Sequence, residues 1–263
     1  MNNEPVTQNT MTWKEFSAKQ PDSIIALCIG SVEQHGPHMP LNVDHLIPYH
    51  LTLRLAEKKP VIVAPPLYYG YRSHSATGGG QLFPGTISLS GQTMICLVQD
   101  ILQDYIRQGC KRFLLMNGHF ENTAFISEAA HLITEANEGV KVVIANWWEL
   151  VEDEVLDDLF PEGFPGWEVE HASLVETSLV MHFCPQLVHV DRIPRQKGQK
   201  HRPQPVVFPE PAGMVPDSGI LYSADDASPD KGAVIAENLV AQLEKTASEG
   251  SERTSSASAL TYL

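Results

Sequence analysis

Residues 23–59 read SIIALCIGSVEQHGPHMPLNVDHLIPYHLTLRLAEKK. Residues 23–30 are short, apolar and closed by Gly30, as a strand buried inside a parallel sheet tends to be. Residues 45–59 space their apolar side chains as an amphipathic helix does. The unit recurs. VIVAPPL (61–67), RFLLMNG (112–118) and KVVIANWW (141–148) are further buried-strand runs closed by Gly, Pro or Asn. Between them, GQTMICLVQDILQDYIRQG sets Leu97, Val98, Ile101, Leu102 and Tyr105 at helical intervals, with Gly109 as a stop. ENTAFISEAAHLITEAN (121–137) reads in the same way. Strand followed by helix, repeatedly, predicts an α/β fold with a mainly parallel sheet covered on both faces.

Outside this alternation, Thr12 and Glu15 have the spacing of a capping box opening a short helix. From Pro194 to Pro216 the chain carries six prolines and the basic residues Arg195, Lys197, Lys200 and Arg202. That composition predicts an extended loop ordered by its contacts, with a subunit contact as one use. DKGAVIAENLVAQLEK (230–245) reads as a closing helix and the Ser-rich remainder as a mobile tail. The expected organisation is one domain over residues 1–245 with a tail over 246–263.

The formal charge of −14, from 18 basic and 32 acidic residues, argues against nucleic acid or an anionic membrane as main partner. The N-terminus lacks the basic and apolar regions of a secretory signal, and no apolar run reaches the ~20 residues of a membrane span. A cytoplasmic protein is expected. Cys28, Cys96, Cys110 and Cys184 are scattered and form no CxxC pair, so they are expected to be buried free thiols, and any metal must be held by His and carboxylate.

In open α/β sheets, ligands bind beyond the carboxyl ends of the strands. SVEQHGPHMPLNVD (31–44) begins where the first strand run ends, and NGHFEN (117–122) where the third ends. Glu33 and His35 stand two apart, as do His119 and Glu121, and in extended backbone such pairs point to one side. Asp44, just ahead of a helix, adds another carboxylate. Taken singly, Asp44 could be an N-cap, His119 a turn residue and Glu121 a first-turn acid. Jointly, five side chains with one carboxylate bridging would give each of two metals three contacts and leave room for water, as catalytic sites do. Mixed N and O donors suit Zn or Mn. His38, His45, His50 and His74 are taken as loop or surface residues. GWEVEHASLVETS (166–178) adds Trp167, Glu168, Glu170, His171 and Glu176. His171 is a candidate proton carrier, since an imidazole accepts and donates near neutrality. Trp148 and Trp167 could wall a flat pocket, and TGGGQLFPGTISL (77–89) offers backbone N–H groups to a substrate or oxyanion. No P-loop, dinucleotide fingerprint or GxSxG elbow is present.

From about Trp13 to Arg192 the sequence resembles the creatininase family. The resemblance is carried by GSVEQHGPHMPLNVD, YGYRSHSATGGGQLFPGTISL, LMNGHFEN and PEGFPGWEVEHASLVETSL. It implies a three-layer αβα sandwich, a binuclear Zn or Mn centre and a homohexamer. It implies that Glu33, Asp44 and His119 hold one metal and His35, Asp44 and Glu121 the other, with Asp44 bridging. Trp148, Trp167 and His171 match positions that enclose the substrate and move protons, and Glu176 a supporting carboxylate. Three pocket positions depart from the pattern of creatinine-hydrolysing members. Thr77, ahead of Gly78, stands for Ser, Phe120 for Tyr and Glu168 for Asp.

The expected reaction is hydrolysis of a small cyclic amide, creatinine to creatine, by a water bridging the metals, with His171 protonating the leaving atom. Lowering water's pKa from 15.7 to about 7 is worth about 12 kcal/mol, against about 10² to 10⁴ in rate for acid–base assistance alone. The metals should dominate. A cyclic polyol ketone such as 3-dehydro-scyllo-inosose, or a formamide, is the alternative substrate. A non-catalytic metal scaffold would instead have filled coordination shells.

Overall fold

In a computed structural model, the structure describes residues 7–198, 200–203, 205–211 and 213–252, with side chains to residue 248. Four strands, β1 (Ile24–Ile29), β2 (Val61–Val63), β3 (Arg112–Asn117) and β4 (Lys141–Asn146), form one sheet in the order β2-β1-β3-β4. All three pairings are parallel, with Ile25 beside Phe113 and Phe113 beside Val142. Each expected strand run is therefore a strand.

The helices are α1 (Trp13–Lys19), α2 (Val43–Ala56), α3 (Gly91–Arg107), α4 (Thr123–Ala136), α5 (Asp153–Leu159), α6 (Leu174–Phe183) and α7 (Pro229–Glu252). Because strand side chains alternate, the sheet serves two cores. Ala26, Cys28, Val61, Val63, Leu114 and Met116 face α2, α6 and α7. Ile25, Leu27, Ile29, Ile62, Phe113 and Leu115 face α1, α3 and α4. The fold is an αβα sandwich. Thr12 caps α1 in the expected box, its hydroxyl accepting from Glu15 N while Glu15 Oε2 accepts from Thr12 N at 2.7 Å.

Several expectations shift. Helix α2 begins at Val43 after Asn42, so Asp44 lies in its first turn and is not the N-cap. Helix α7 continues past Lys245 to Glu252, so the expected tail is helical at its start; residues 253–263 lie outside the described residues. Cys96 is exposed, while Cys28, Cys110 and Cys184 are buried free thiols as expected. His38 and His45 are buried: His38, in the loop after β1, lies with its Nε2 2.9 Å from Thr177 Oγ1 of α6, and His45, in the first turn of α2, packs against Tyr49 and Tyr68. No helix among the described residues is long and apolar enough to cross a membrane.

Strand β1 leads through α2 to β2 on one side, and β3 joins β1 on the other. The order thus reverses between β1 and β3, where a crevice opens beyond the strand ends. Gly118, directly after β3, lets this crevice close tightly. A Cβ there would lie 1.9 Å from the Asp44 carbonyl oxygen, so only glycine lets the first turn of α2 reach the strand end.

Candidate metal centre and active site

Two trios of ligand-type side chains, each with donor atoms within 4.8 Å, occupy the crevice: Glu33, Asp44 and His119, and His35, His171 and Glu176. All six are buried. They meet at Asp44, whose Oδ2 lies 3.2 Å from His119 Nδ1 and whose Oδ1 lies 3.1 Å from His35 Nε2. His119 Nδ1 is also 3.0 Å from Glu33 Oε2, and His35 Nε2 is 3.6 Å from Glu176 Oε2. Glu121 belongs to neither trio. Its Oε2 sits 3.2 Å from His119 Nε2, and its Oε1 accepts from Thr77 Oγ1 and the His74 amide.

The imidazoles are oriented by their unused nitrogens. His35 Nδ1 lies 3.2 Å from the Glu33 carbonyl oxygen and His119 Nε2 lies 3.1 Å from that of Tyr71. Donation there leaves the lone pairs of His35 Nε2 and His119 Nδ1 facing Asp44, as in metal sites where an outer carbonyl sets the tautomer. His35 Nε2, Asp44 Oδ2 and Glu121 Oε2 are buried without a hydrogen-bond partner. Unpartnered buried lone pairs converging from carboxylate and imidazole are costly unless a cation satisfies them, so the residues present fit divalent metal.

Electrostatics agree. Burial pushes Glu33 up, but His171, His119 and His35 together hold it well below the usual carboxylate range. Burial also opposes charge on His35 and His119. Asp44 and Glu176 outweigh it at His35, and Glu121 and Glu33 at His119, so both titrate well above the ordinary imidazole value. Such surroundings favour positive charge, whether proton or metal.

The glycine-rich loop has a different task from the one its sequence suggests. Gly79 N donates to Glu33 Oε1 at 2.6 Å and Gly80 N to Ser73 Oγ, which itself donates to Glu33 Oε1 at 2.5 Å. These amides hold Glu33 rather than waiting for substrate. A Cβ at Gly78 would stand 2.6 Å from Ser73 Oγ and 2.8 Å from Glu33 Oε1, so the close approach excludes side chains.

A cavity of about 40 Å³ opens on this cluster, lined by Thr77, Gly78, Phe120, Trp148, Trp167 and His171 among others. Phe120 stacks on Trp148 at 5.6 Å and 23°, making a flat wall. Glu168 is not among its lining residues; its Oε1 lies 3.6 Å from His201 Nε2. Glu170 lines the cavity in its place, because the turn at Trp167–Val169 sends Glu168 outward. Burial and the neighbouring Glu176 push the Glu170 carboxyl well above the usual range.

Sequence reasoning missed two contributors, Trp147 and Gln34, and gave a third, Glu170, no role. Trp147 packs edge-on against both Trp148 and Trp167, at 5.9 and 6.0 Å. Gln34 carries the most chemistry. Its Oε1 accepts from Gly36 N and its Nε2 donates to the Gly219 carbonyl oxygen, which fixes the amide's orientation. His171 Nε2 then lies 2.9 Å from the Gln34 carbonyl oxygen and 3.0 Å from Gln34 Nε2. One residue thus offers that nitrogen an acceptor and a donor. Its signal was its place between Glu33 and His35.

Residues 9–247 match the family described as Creatininase: Creatinine amidohydrolase. The chain belongs to the creatininase family. It is 42% identical over 238 residues to a creatinine amidohydrolase of Pseudomonas putida, covering 88% of this chain and 91% of that one. A 3-dehydro-scyllo-inosose hydrolase of Thermotoga maritima is 28% identical over 216 residues, 80% of this chain and 62% of that one. Among solved structures, a creatininase with Mn superposes with a TM-score of 0.89 at 40% identity, covering 93% of this chain and 98% of that one. A creatininase mutant complexed with creatine gives 0.90 at 39%, covering 94% and 99%. The αβα sandwich is the creatininase fold, and the chain is an enzyme of the amidohydrolase class whose two buried trios are of the residue types that can hold a metal ion.

Proposed function

We propose that this chain opens a small cyclic amide by hydrolysis, creatinine to creatine, using two divalent ions, Zn or Mn. The observation that carries this reading is the buried trio of Glu33, Asp44 and His119, with unpartnered buried atoms on Asp44, on His35 next to it and on Glu121 beside His119. Glu33, Asp44 and His119 would hold one ion; His35 and Asp44, with Glu121 as the closing carboxylate, would hold the other. When bound, such ions polarise a carbonyl oxygen and lower the pKa of water from 15.7 to about 7.

The chain's own residues do the rest. Trp148, Phe120 and Trp167 sandwich a planar ring and keep bulk water from it. Thr77 and Gly78 line the same cavity. His171 Nε2, with an acceptor and a donor from Gln34, carries a proton to the leaving nitrogen. Glu176, whose Oε2 accepts from Ala172 N at 2.7 Å, supports the His171 region and faces His35.

Phe120 favours a second reading on the same centre. It lacks the phenolic hydroxyl expected at this position in creatinine-hydrolysing members, and one buried hydrogen bond is worth about 1 to 3 kcal/mol in discrimination. A cyclic polyol ketone such as 3-dehydro-scyllo-inosose, or a formamide, is then the substrate. Elemental analysis followed by turnover assays of creatinine, the inosose and formamides, with and without chelator, tests both readings. Creatinine opening that chelator abolishes supports the first; turnover of the ketone alone supports the second. Phe120→Tyr should raise creatinine turnover relative to the inosose by about 5- to 150-fold. The resemblance supports a homohexamer, which light scattering would check; the single domain and cytoplasmic location are expected from the sequence pattern, and limited proteolysis and cell fractionation would check them.

A further inference from the structure

Three consecutive residues on the loop after β2 each hold a carboxylate. Ser73 Oγ donates to Glu33 Oε1 at 2.5 Å, and His74 N donates to Glu121 Oε1 at 2.9 Å. Ser75 donates to Glu210 Oε2, from Oγ at 2.5 Å and from N at 3.2 Å. Glu33 and Glu121 belong to the candidate metal centre. Glu210 does not. It stands 135 residues beyond Ser75, in VVFPEP (206–211) of the proline-rich segment, and is not among the residues lining the catalytic cavity.

The segment grips the loop through several contacts. Glu210 Oε1 lies 2.7 Å from His74 Nδ1, so one carboxylate takes both His74 and Ser75. Phe208 closes edge-on against the His74 ring at 5.6 Å and 68°. Pro209 and Pro211 flank Glu210 and fix φ on both sides, so few conformations compete with the one that presents it. Burial raises the Glu210 carboxyl, but the bonds from Ser75 and His74 outweigh it and hold it below the usual range.

The loop needs such a hold. Residues 76–80 read ATGGG, and three successive glycines have the most backbone freedom to lose. The His74 carbonyl oxygen accepts from Thr77 N at 3.1 Å and Gly78 N at 2.7 Å, and Thr77 Oγ1 donates to Glu121 Oε1 at 2.5 Å. These bonds place Glu121 only if His74 is itself placed, and Glu210 and Phe208 place it from outside the loop. We infer that Glu210 is a positioning residue for the metal centre: by pinning His74 and Ser75 it sets the His74 amide and the Thr77 hydroxyl that aim Glu121. This deepens the two-ion reading above and rests on it.

The metal-loaded full chain, titrated with chelator, tests this by two readouts: retained metal from elemental analysis, and amide hydrogen exchange of the peptide spanning 73–80. Glu210→Ala should release one of the two ions at about tenfold lower chelator, the lower end of what an outer partner of a ligand contributes, and hold the other as the wild type does. Exchange over 73–80 should quicken several-fold. Ser75→Ala/Glu210→Ala should cost no more than Glu210→Ala alone, since the two residues share one link. Glu162→Ala, which frees Lys197 at another point of the same segment, should change neither readout. Both ions loosening together, neither loosening, or an equal effect of Glu162→Ala overturns the assignment. A wild type that holds fewer than two ions breaks the two-ion reading instead, and exchange then decides Glu210 alone: quickened by Glu210→Ala it keeps the role of placing the loop, and unchanged it loses that role.

Discussion

The two trios that meet at Asp44 are built from the same residue types in opposite proportion. Glu33, Asp44 and His119 set two carboxylates against one imidazole; His35, His171 and Glu176 set two imidazoles against one carboxylate. Their supports differ too. Glu33 is pinned by a hydroxyl and a glycine amide, both of which donate to it. His171 is held by Gln34, which both accepts and donates. A carboxylate held only by donors stays an anion and suits a cation, whereas a ring nitrogen given both kinds of partner suits a proton in transit. Composition and support together separate the cation-holding half from the proton-moving half, with His35 reaching into both.

Removing His119 from the cation-holding half, or the carboxylate of Glu121 beside it, should have the largest effect. His119→Ala or Glu121→Gln is expected to lower turnover more than about a thousandfold with the far-UV spectrum unchanged, since much of about 12 kcal/mol is at stake. Near-normal turnover in either would break the distinction. His171→Ala should cost about 10² to 10⁴ in kcat while elemental analysis finds the metal content of the wild type. Loss of metal from that variant would make both trios cation sites. Gln34→Ala should lower kcat about tenfold, the worth of one hydrogen bond of about 1 to 1.5 kcal/mol, and shift the pH profile of kcat without altering metal content.

The smallest effect concerns stability around the rim. Burial, followed by the charge of His35, lowers His38 from 6.5 to about 4; burial, followed by His50, does the same for His45. Between those values the unfolded chain binds more protons than the folded one, so stability is fully present above about pH 6.5 and is lost as pH falls toward 4. Thermal melts across this window should show the loss. His45→Gln should shallow its slope, and an unchanged slope would show that other groups govern acid unfolding.

Much of this was legible because strands and paired ligands are local patterns. The runs at 23–30, 61–67, 112–118 and 141–148 each contain a strand, and the i, i+2 pairs at 33/35 and 119/121 lie just beyond the ends of β1 and β3. Side-chain direction beyond the strand ends was not legible. Glu168 and Glu170 are alike in sequence, yet one turn aims the first at His201 and leaves the second in the cavity. Gly79 looked like a free amide until the fold brought Glu33 to it across the crevice.

The sequence by itself determined the alternation of strand and helix, the parallel sheet and the residues that could bind metal, because periodicity and donor chemistry belong to the chain. Only the tertiary structure decided that Glu121 stands beside His119 outside both trios, that Gln34 serves His171, and that buried His38 and His45 are not surface residues. Those facts depend on which distant segments meet at the switch between β1 and β3, and hydrogen-bond partners and burial exist only once they have met.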